Sequence, residues 1–243
     1  MKLHMERRGQ GERIVFVHGS GWNARMWYKQ KDALKSLAEV ILVDLPGHGK
    51  SAGDGLSSVE EYSAELYRAL KEIDLKGYYV AGHSLGGAIA MTLTLSHPDE
   101  VKGIILVGTG AKLKVLPEIL KGVSTDKERT LKRVSDLAFS RQAPSTLKKD
   151  GFNETMKCRA EVIYRDFSAC DRFNIMDSVN SLKTPALILC GTYDSLTPPK
   201  YSHYLHQAIE GSHLVLVEGA GHLVMIEEPQ QVNQAIEEFV KSR

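Results

Sequence analysis

Six short, almost unbroken apolar runs constrain this chain more than any other feature. They cover residues 14–17, 40–43, 78–81, 104–107, 186–190 and 214–217, and all are rich in Val, Ile and Leu. A strand with one wet face alternates apolar and polar residues, and none of these runs does so cleanly. Strands buried on both faces lack that alternation, so the pattern predicts a parallel sheet covered by helices. Helical patterns fall between the runs. Ser58 and Glu61 form a capping box, after which Val59, Tyr62, Leu66, Ala69 and Ile73 recur at helical spacing. Residues 85–96 are apolar around most of a helix circumference, and His97-Pro98 ends them. Tyr201, Tyr204, Leu205 and Ala208 mark another helix. A last one starts at Pro229 and turns Val232, Ile236, Phe239 and Val240 inward. Alternation of this kind predicts an α/β fold.

The rhythm breaks between residues 111 and 177, where charged residues are dense and no strand-like run appears. Leu113, Leu116, Ile119 and Leu120, then Leu131, Val134, Leu137 and Ala138, recur at helical spacing. The segment is too long for a structureless loop in a compact domain. It reads as a helical insertion, residues 111–177, in a core made of residues 1–110 and 178–243. A chain of 243 residues suffices for one such domain.

Bulk properties narrow the function. With 31 basic and 30 acidic residues, the chain lacks the basic excess that nucleic acid or an anionic membrane demands. Cys158, Cys170 and Cys190 are odd in number and form no CxxC pair, which disfavours a disulfide framework and fits a reducing compartment. No apolar run resembles a signal-peptide core or approaches the roughly 18 residues of a membrane span. The expectation is a cytoplasmic protein with no nucleic-acid or membrane partner; its oligomeric state is left open.

The chemistry centres on Gly82-His83-Ser84-Leu85-Gly86, a G-x-S-x-G motif that follows one buried run and opens the apolar helix. A nucleophile elbow needs that strand–turn–helix setting. A serine hydroxyl is a weak nucleophile and needs a base. Of nine histidines, His222 sits just past the last run, in Glu218-Gly219-Ala220-Gly221-His222, and is the candidate base. His18 and His83 belong to turns of other motifs, while His4, His48 and His213 have no neighbouring chemistry to assign. The base needs a carboxylate to orient it. Asp194, in Gly191-Thr192-Tyr193-Asp194 after the fifth run, is the candidate, with Glu218 as runner-up. An oxyanion needs two preorganised N–H donors. The amides of Leu85 and of Ser20, in the glycine-rich turn after the first run, are the candidates. Gly49-Lys50-Ser51 echoes the end of a phosphate loop, but position 44 is Asp rather than Gly, and no other nucleotide or metal motif occurs. No cofactor is inferred.

These stretches resemble the α/β-hydrolase superfamily, close to its small carboxylesterases and its lactonase-like and C–C-hydrolase-like members. The matching segments are Phe16-Val17-His18-Gly19-Ser20-Gly21-Trp22, residues 44–51, residues 81–87, Gly191-Thr192-Tyr193-Asp194 and Gly219-Ala220-Gly221-His222. The resemblance implies a mostly parallel eight-stranded sheet flanked by helices, with a helical cap after the sixth strand. The six runs are then strands three to eight, and residues 1–13 hold the first two. It further implies that residues 44–51 are structural or border the pocket, and it supports Ser20 and Leu85 as oxyanion donors. The expected activity is serine-dependent cleavage of small-molecule carboxylic esters with small or medium acyl chains. C–C bond or lactone hydrolysis, perhydrolysis without a cofactor, and a ligand-receptor role stand as alternatives. Phe152, Met156, Tyr164 and Phe167 are candidates to line the pocket under the cap.

Overall fold

The structure, a computed structural model, describes residues 2–242; Met1 and Arg243, the outermost positions of the expected core segments, lie outside it. Seven strands form one sheet: β1 (Met5–Arg8), β2 (Glu12–Val17), β3 (Ala38–Val43), β4 (Tyr78–His83), β5 (Val101–Val107), β6 (Ala186–Gly191) and β7 (His213–Val217). Their spatial order is β1-β3-β2-β4-β5-β6-β7. β1 runs antiparallel to β3, and every other pairing is parallel.

The unbroken runs follow from this arrangement. Successive residues of a strand point to opposite faces, and here both faces are covered. Val15, Val17, Ile104, Leu106 and Ile188 face one core, with helices α2 (Val59–Glu72), α3 (Leu85–Ser96) and α8 (Pro199–Ala208). Ile14, Phe16, Ile105, Val107 and Leu189 face the other, with α1 (Tyr28–Leu34) and the two C-terminal helices, Val224–Glu227 and Pro229–Lys241. α3 carries apolar residues nearly all round because it packs on the sheet and on α2 at once. The Ser58–Glu61 capping box is formed, with Glu61 N donating to Ser58 Oγ at 3.2 Å and Ser58 N to Glu61 Oε2 at 3.1 Å.

Three expectations need correction. Among the described residues the sheet has seven strands rather than eight, because only β1 precedes the run that becomes β2. Residues 2–11 hold a four-residue strand and a turn through Gly9 and Gly11, and β2 begins at Glu12, which leaves no room for a second strand between them. The helical insertion therefore follows the fifth strand. The last run is also not buried on both faces: β7 is an edge strand, and Leu216 is 38% exposed.

Four helices lie between β5 and β6: α4 (Pro117–Thr125), α5 (Lys127–Ala138), α6 (Ser145–Met156) and α7 (Ala160–Arg172). The backbone joins them to the sheet as a closed neck. Lys112 bridges Asn174, Ile175 N donates to Ala111 O at 2.8 Å, and Leu113 N donates to Phe173 O at 3.3 Å. No helix among the described residues is long and apolar enough to cross a membrane.

Candidate active site

Parallel strands end on the same edge of the sheet, so the loops after β2, β4, β6 and β7 gather there. Ser84 sits between β4 and α3 with φ 52° and ψ −113°, a backbone conformation that costs a non-glycine residue on the order of 1–3 kcal/mol. Sterics explain the flanking glycines. A Cβ at residue 82 would lie 2.1 Å from Gly86 O, and one at residue 86 would lie 2.3 Å from Val17 O. The turn is further held by Ser84 N donating to Val107 O at 3.0 Å and by Thr109 Oγ1 donating to Ser84 O at 2.8 Å.

Asp194 and His222 come together from the ends of β6 and β7, and both are buried. His222 Nδ1 lies 2.8 Å from Asp194 Oδ2. The carboxylate is itself fixed, since Oδ1 accepts from Leu196 N at 2.9 Å and Thr197 N at 2.8 Å, and Oδ2 accepts from Thr197 Oγ1 at 2.8 Å. A carboxylate beside Nδ1 keeps the proton there, so Nε2 is the nitrogen available as an acceptor. Glu218, the runner-up acid, is exposed at the end of β7.

Ser84 and His222 line one cavity of about 480 Å³, together with Ser20. Its apolar wall comes largely from the inserted segment, through Leu113, Ile119, Leu131, Val134, Leu137 and Phe167. Of the four residues expected in the pocket, only Phe167 lines it. Phe152 and Met156 pack instead against Val123, Leu131 and Ile163, and Tyr164 is exposed. The amides of Ser20 and Leu85 donate to no other group among the described residues, which leaves both available to an incoming oxygen.

Several supporting residues had no legible signal in the sequence. His83 Nε2 donates to the His222 carbonyl at 3.0 Å and so holds the His222 backbone. Burial and the neighbouring His222 keep the His83 imidazole well below its ordinary pKa, and it is neutral. Glu227 accepts from Gly221 N at 3.0 Å and Ser140 N at 3.1 Å, tying the His222 loop to the end of α5. Burial raises the pKa of this carboxyl group. Asp44, by contrast, lies in the segment 44–51 that the family resemblance marks as structural or bordering the pocket, and its carboxylate accepts from Ala24 N at 2.7 Å and Lys50 N at 2.9 Å.

Two further histidines are buried side by side, with ring centroids 4.8 Å apart. His18 Nε2 accepts from Leu45 N at 3.0 Å while Nδ1 faces Gly19 O, a pattern only the neutral ring satisfies. Burial, then the charge of His48, lowers its pKa to about 4. At His48 both nitrogens face acceptors, Pro46 O at 3.0 Å and Asp166 Oδ2 at 2.9 Å, which requires the imidazolium. Burial opposes that charge, but the Asp166 carboxylate more than offsets it and raises the pKa to about 10.

Comparison with known proteins places this geometry in context. The family model described as "Alpha/beta hydrolase family" matches residues 14–235. A pimeloyl-[acyl-carrier protein] methyl ester esterase of Aeromonas hydrophila is 30% identical, covering 99% of this chain and 100% of that one. An (E)-2-((N-methylformamido)methylene)succinate hydrolase of Acinetobacter baylyi is 28% identical, covering 98% and 94%. The solved structure of a thermophilic esterase is 34% identical with a TM-score of 0.88, covering 98% of each chain.

Proposed function

Because this chain belongs to the alpha/beta hydrolase family, we propose that it cleaves carboxylic esters of small or medium acyl chains through an acyl-enzyme on Ser84. One observation carries the reading: the Asp194–His222 pair, 2.8 Å apart, opens on the same apolar cavity as the strained Ser84. Ser84 Oγ attacks the ester carbonyl while His222 Nε2 takes its proton. Asp194 stabilises the imidazolium that results. The amides of Ser20 and Leu85 hold the oxyanion, and collapse expels the alcohol, which takes its proton from His222. Water, activated by the same histidine, then releases the acid.

Residues 111–177 act as a cap over a core of residues 1–110 and 178–243, a division supported by the closed neck at residues 111–113 and 173–175. A cavity of about 480 Å³ walled by aliphatic side chains suits an acyl chain. The esterases among the relatives point to the same substrate class. Three free thiols, Cys158, Cys170 and Cys190, suit a cytoplasmic setting.

The test is kcat/KM across p-nitrophenyl esters of increasing acyl length, for wild type and Ser84→Ala. A sharp optimum that falls by roughly 10⁴-fold or more in the variant supports the assignment. Activity retained without Ser84 overturns it. Feeble hydrolysis of every ester points instead to lactones or other acyl substrates.

A further inference from the structure

One face of α7 touches the loop that carries Ser20, through residues three and four apart. An added Cβ at Gly21 would meet Ile163 Cγ1 at 3.3 Å, so the two are in close packing. Gly21 N donates to Asp166 Oδ2 at 2.8 Å, and Ser20 Oγ lies 3.6 Å from Cys170 Sγ. Asp166 is fully buried. Besides Gly21 N, its carboxylate accepts from His48 Nε2 at 2.9 Å and from the Tyr62 hydroxyl at 2.6 Å. One inserted side chain thus joins the loops after β2 and β3 and helix α2. We propose that Asp166 is a positioning residue for the oxyanion hole: through Gly21 N it aims the adjacent Ser20 amide, so that hole assembly depends on the seating of α7.

The chemistry of the site makes aspartate specific. Three donors converge on it, and only a carboxylate is an acceptor at both oxygens. An asparagine can keep its oxygen on Gly21 N and His48 and turn its NH₂ to the Tyr62 hydroxyl, which accepts from Leu56 N at 2.9 Å, so the variant that withdraws the acceptor from Gly21 N is Asp166→Ala. His48 is different. His48→Gln removes the buried charge but leaves the Asp166 carboxylate to Gly21. The inference thus separates two effects that ordinary destabilisation would not. Loss of Asp166 impairs the transition state, while loss of His48 impairs stability alone.

The proposal rests on the ester-hydrolase reading, so wild-type, Ser84-dependent hydrolysis is established first; its absence sinks that reading. Asp166→Ala and His48→Gln are then compared with wild type in three measurements. These are kcat and KM for a short p-nitrophenyl ester, inhibition by a trifluoromethyl ketone that forms a tetrahedral adduct on serine, and hydrogen exchange of the segment spanning residues 19–22. Removing a whole oxyanion donor costs about 10²–10³ in kcat. A donor left in place but misaimed should cost about 10- to 100-fold, with KM within about threefold and ketone affinity falling alongside kcat. Exchange at residues 19–22 should rise in Asp166→Ala and stay near wild type in His48→Gln. Because the exchange readout needs no turnover, it tests the contact even without an active substrate. Should Asp166→Ala not fold, Asp166→Glu keeps the charge for His48 but shifts the carboxylate, and the same kcat-selective loss is expected. Unchanged kcat and exchange in the Asp166 variant, or equal losses in both variants, overturn the proposal.

Discussion

Replacing Asp194 by asparagine exchanges one oxygen for an NH₂ group, and the surrounding hydrogen bonds dictate where that group goes. Oδ1 accepts from two backbone amides, Leu196 N and Thr197 N. Turning an NH₂ toward them would leave two buried donors facing a third, at a cost of about 1–3 kcal/mol for each. The amide oxygen therefore takes the Oδ1 position, and Nδ2 takes the place of Oδ2, 2.8 Å from His222 Nδ1. Thr197 Oγ1, 3.1 Å from the same nitrogen, offers no escape. Whether Nδ2 donates to the ring or to Thr197, which then donates to the ring, Nδ1 becomes an acceptor. The imidazole proton moves to Nε2, where it confronts Ser84 with a donor, and the base is lost. The expected fall in kcat is about 10³–10⁴, equivalent to about 4–5.5 kcal/mol at the transition state. Stability should change little, because each hydrogen bond keeps a partner with donor and acceptor exchanged. Initial rates on a p-nitrophenyl ester, with a thermal melt of each protein, measure both quantities. A variant with native Tm and kcat within tenfold of wild type would refute the tautomer argument.

Two further outcomes follow from groups other than Ser84, Asp194 and His222. His48 has a folded pKa of about 10, above the value near 6.5 of an unfolded histidine. Its pair with Asp166 therefore contributes stability that is complete below about pH 6.5 and is lost as pH rises through 10. Urea melts at pH 6, 8 and 10 should show wild type weakening across that window while His48→Gln, weaker at pH 6, stays flatter; parallel curves would remove the imidazolium from the account. Among the described residues, Trp22 alone lines both the Ser84 cavity and a second cavity of about 460 Å³ that also touches Leu147 and Ile226. Trp22→Ala should join the two and shift preference toward long acyl chains by about tenfold or more in the kcat/KM ratio of decanoyl to butyryl esters, and an unchanged ratio would place the length limit elsewhere.

The alternating sheet and helix order was legible because burial on both faces leaves a plain mark: Val15 and Phe16 are neighbours in sequence yet belong to opposite cores, and both must be apolar. The elbow was legible for a steric reason, since Gly82 and Gly86 sit where no Cβ fits. β1 left no such mark. Its Met5-Glu6-Arg7-Arg8 lies at the sheet edge, where charged side chains reach water, and it pairs with β3 through the backbone and the Arg7–Glu39 ion pair. β7 misled in the opposite sense, an apolar run on an edge. Local sequence determined that Ser84, Asp194 and His222 each follow a strand, and hence that they gather at one edge of a parallel sheet. What packs around them is a matter of long-range contact. Asp166 reaches Gly21 across 145 residues, Glu227 ties Ser140 to Gly221, and Phe167 rather than Phe152 faces the cavity. A buried carboxylate reads in sequence like a solvated one. Only the folded chain, by removing water and supplying donors, decides which of them must stay charged and what they hold in place.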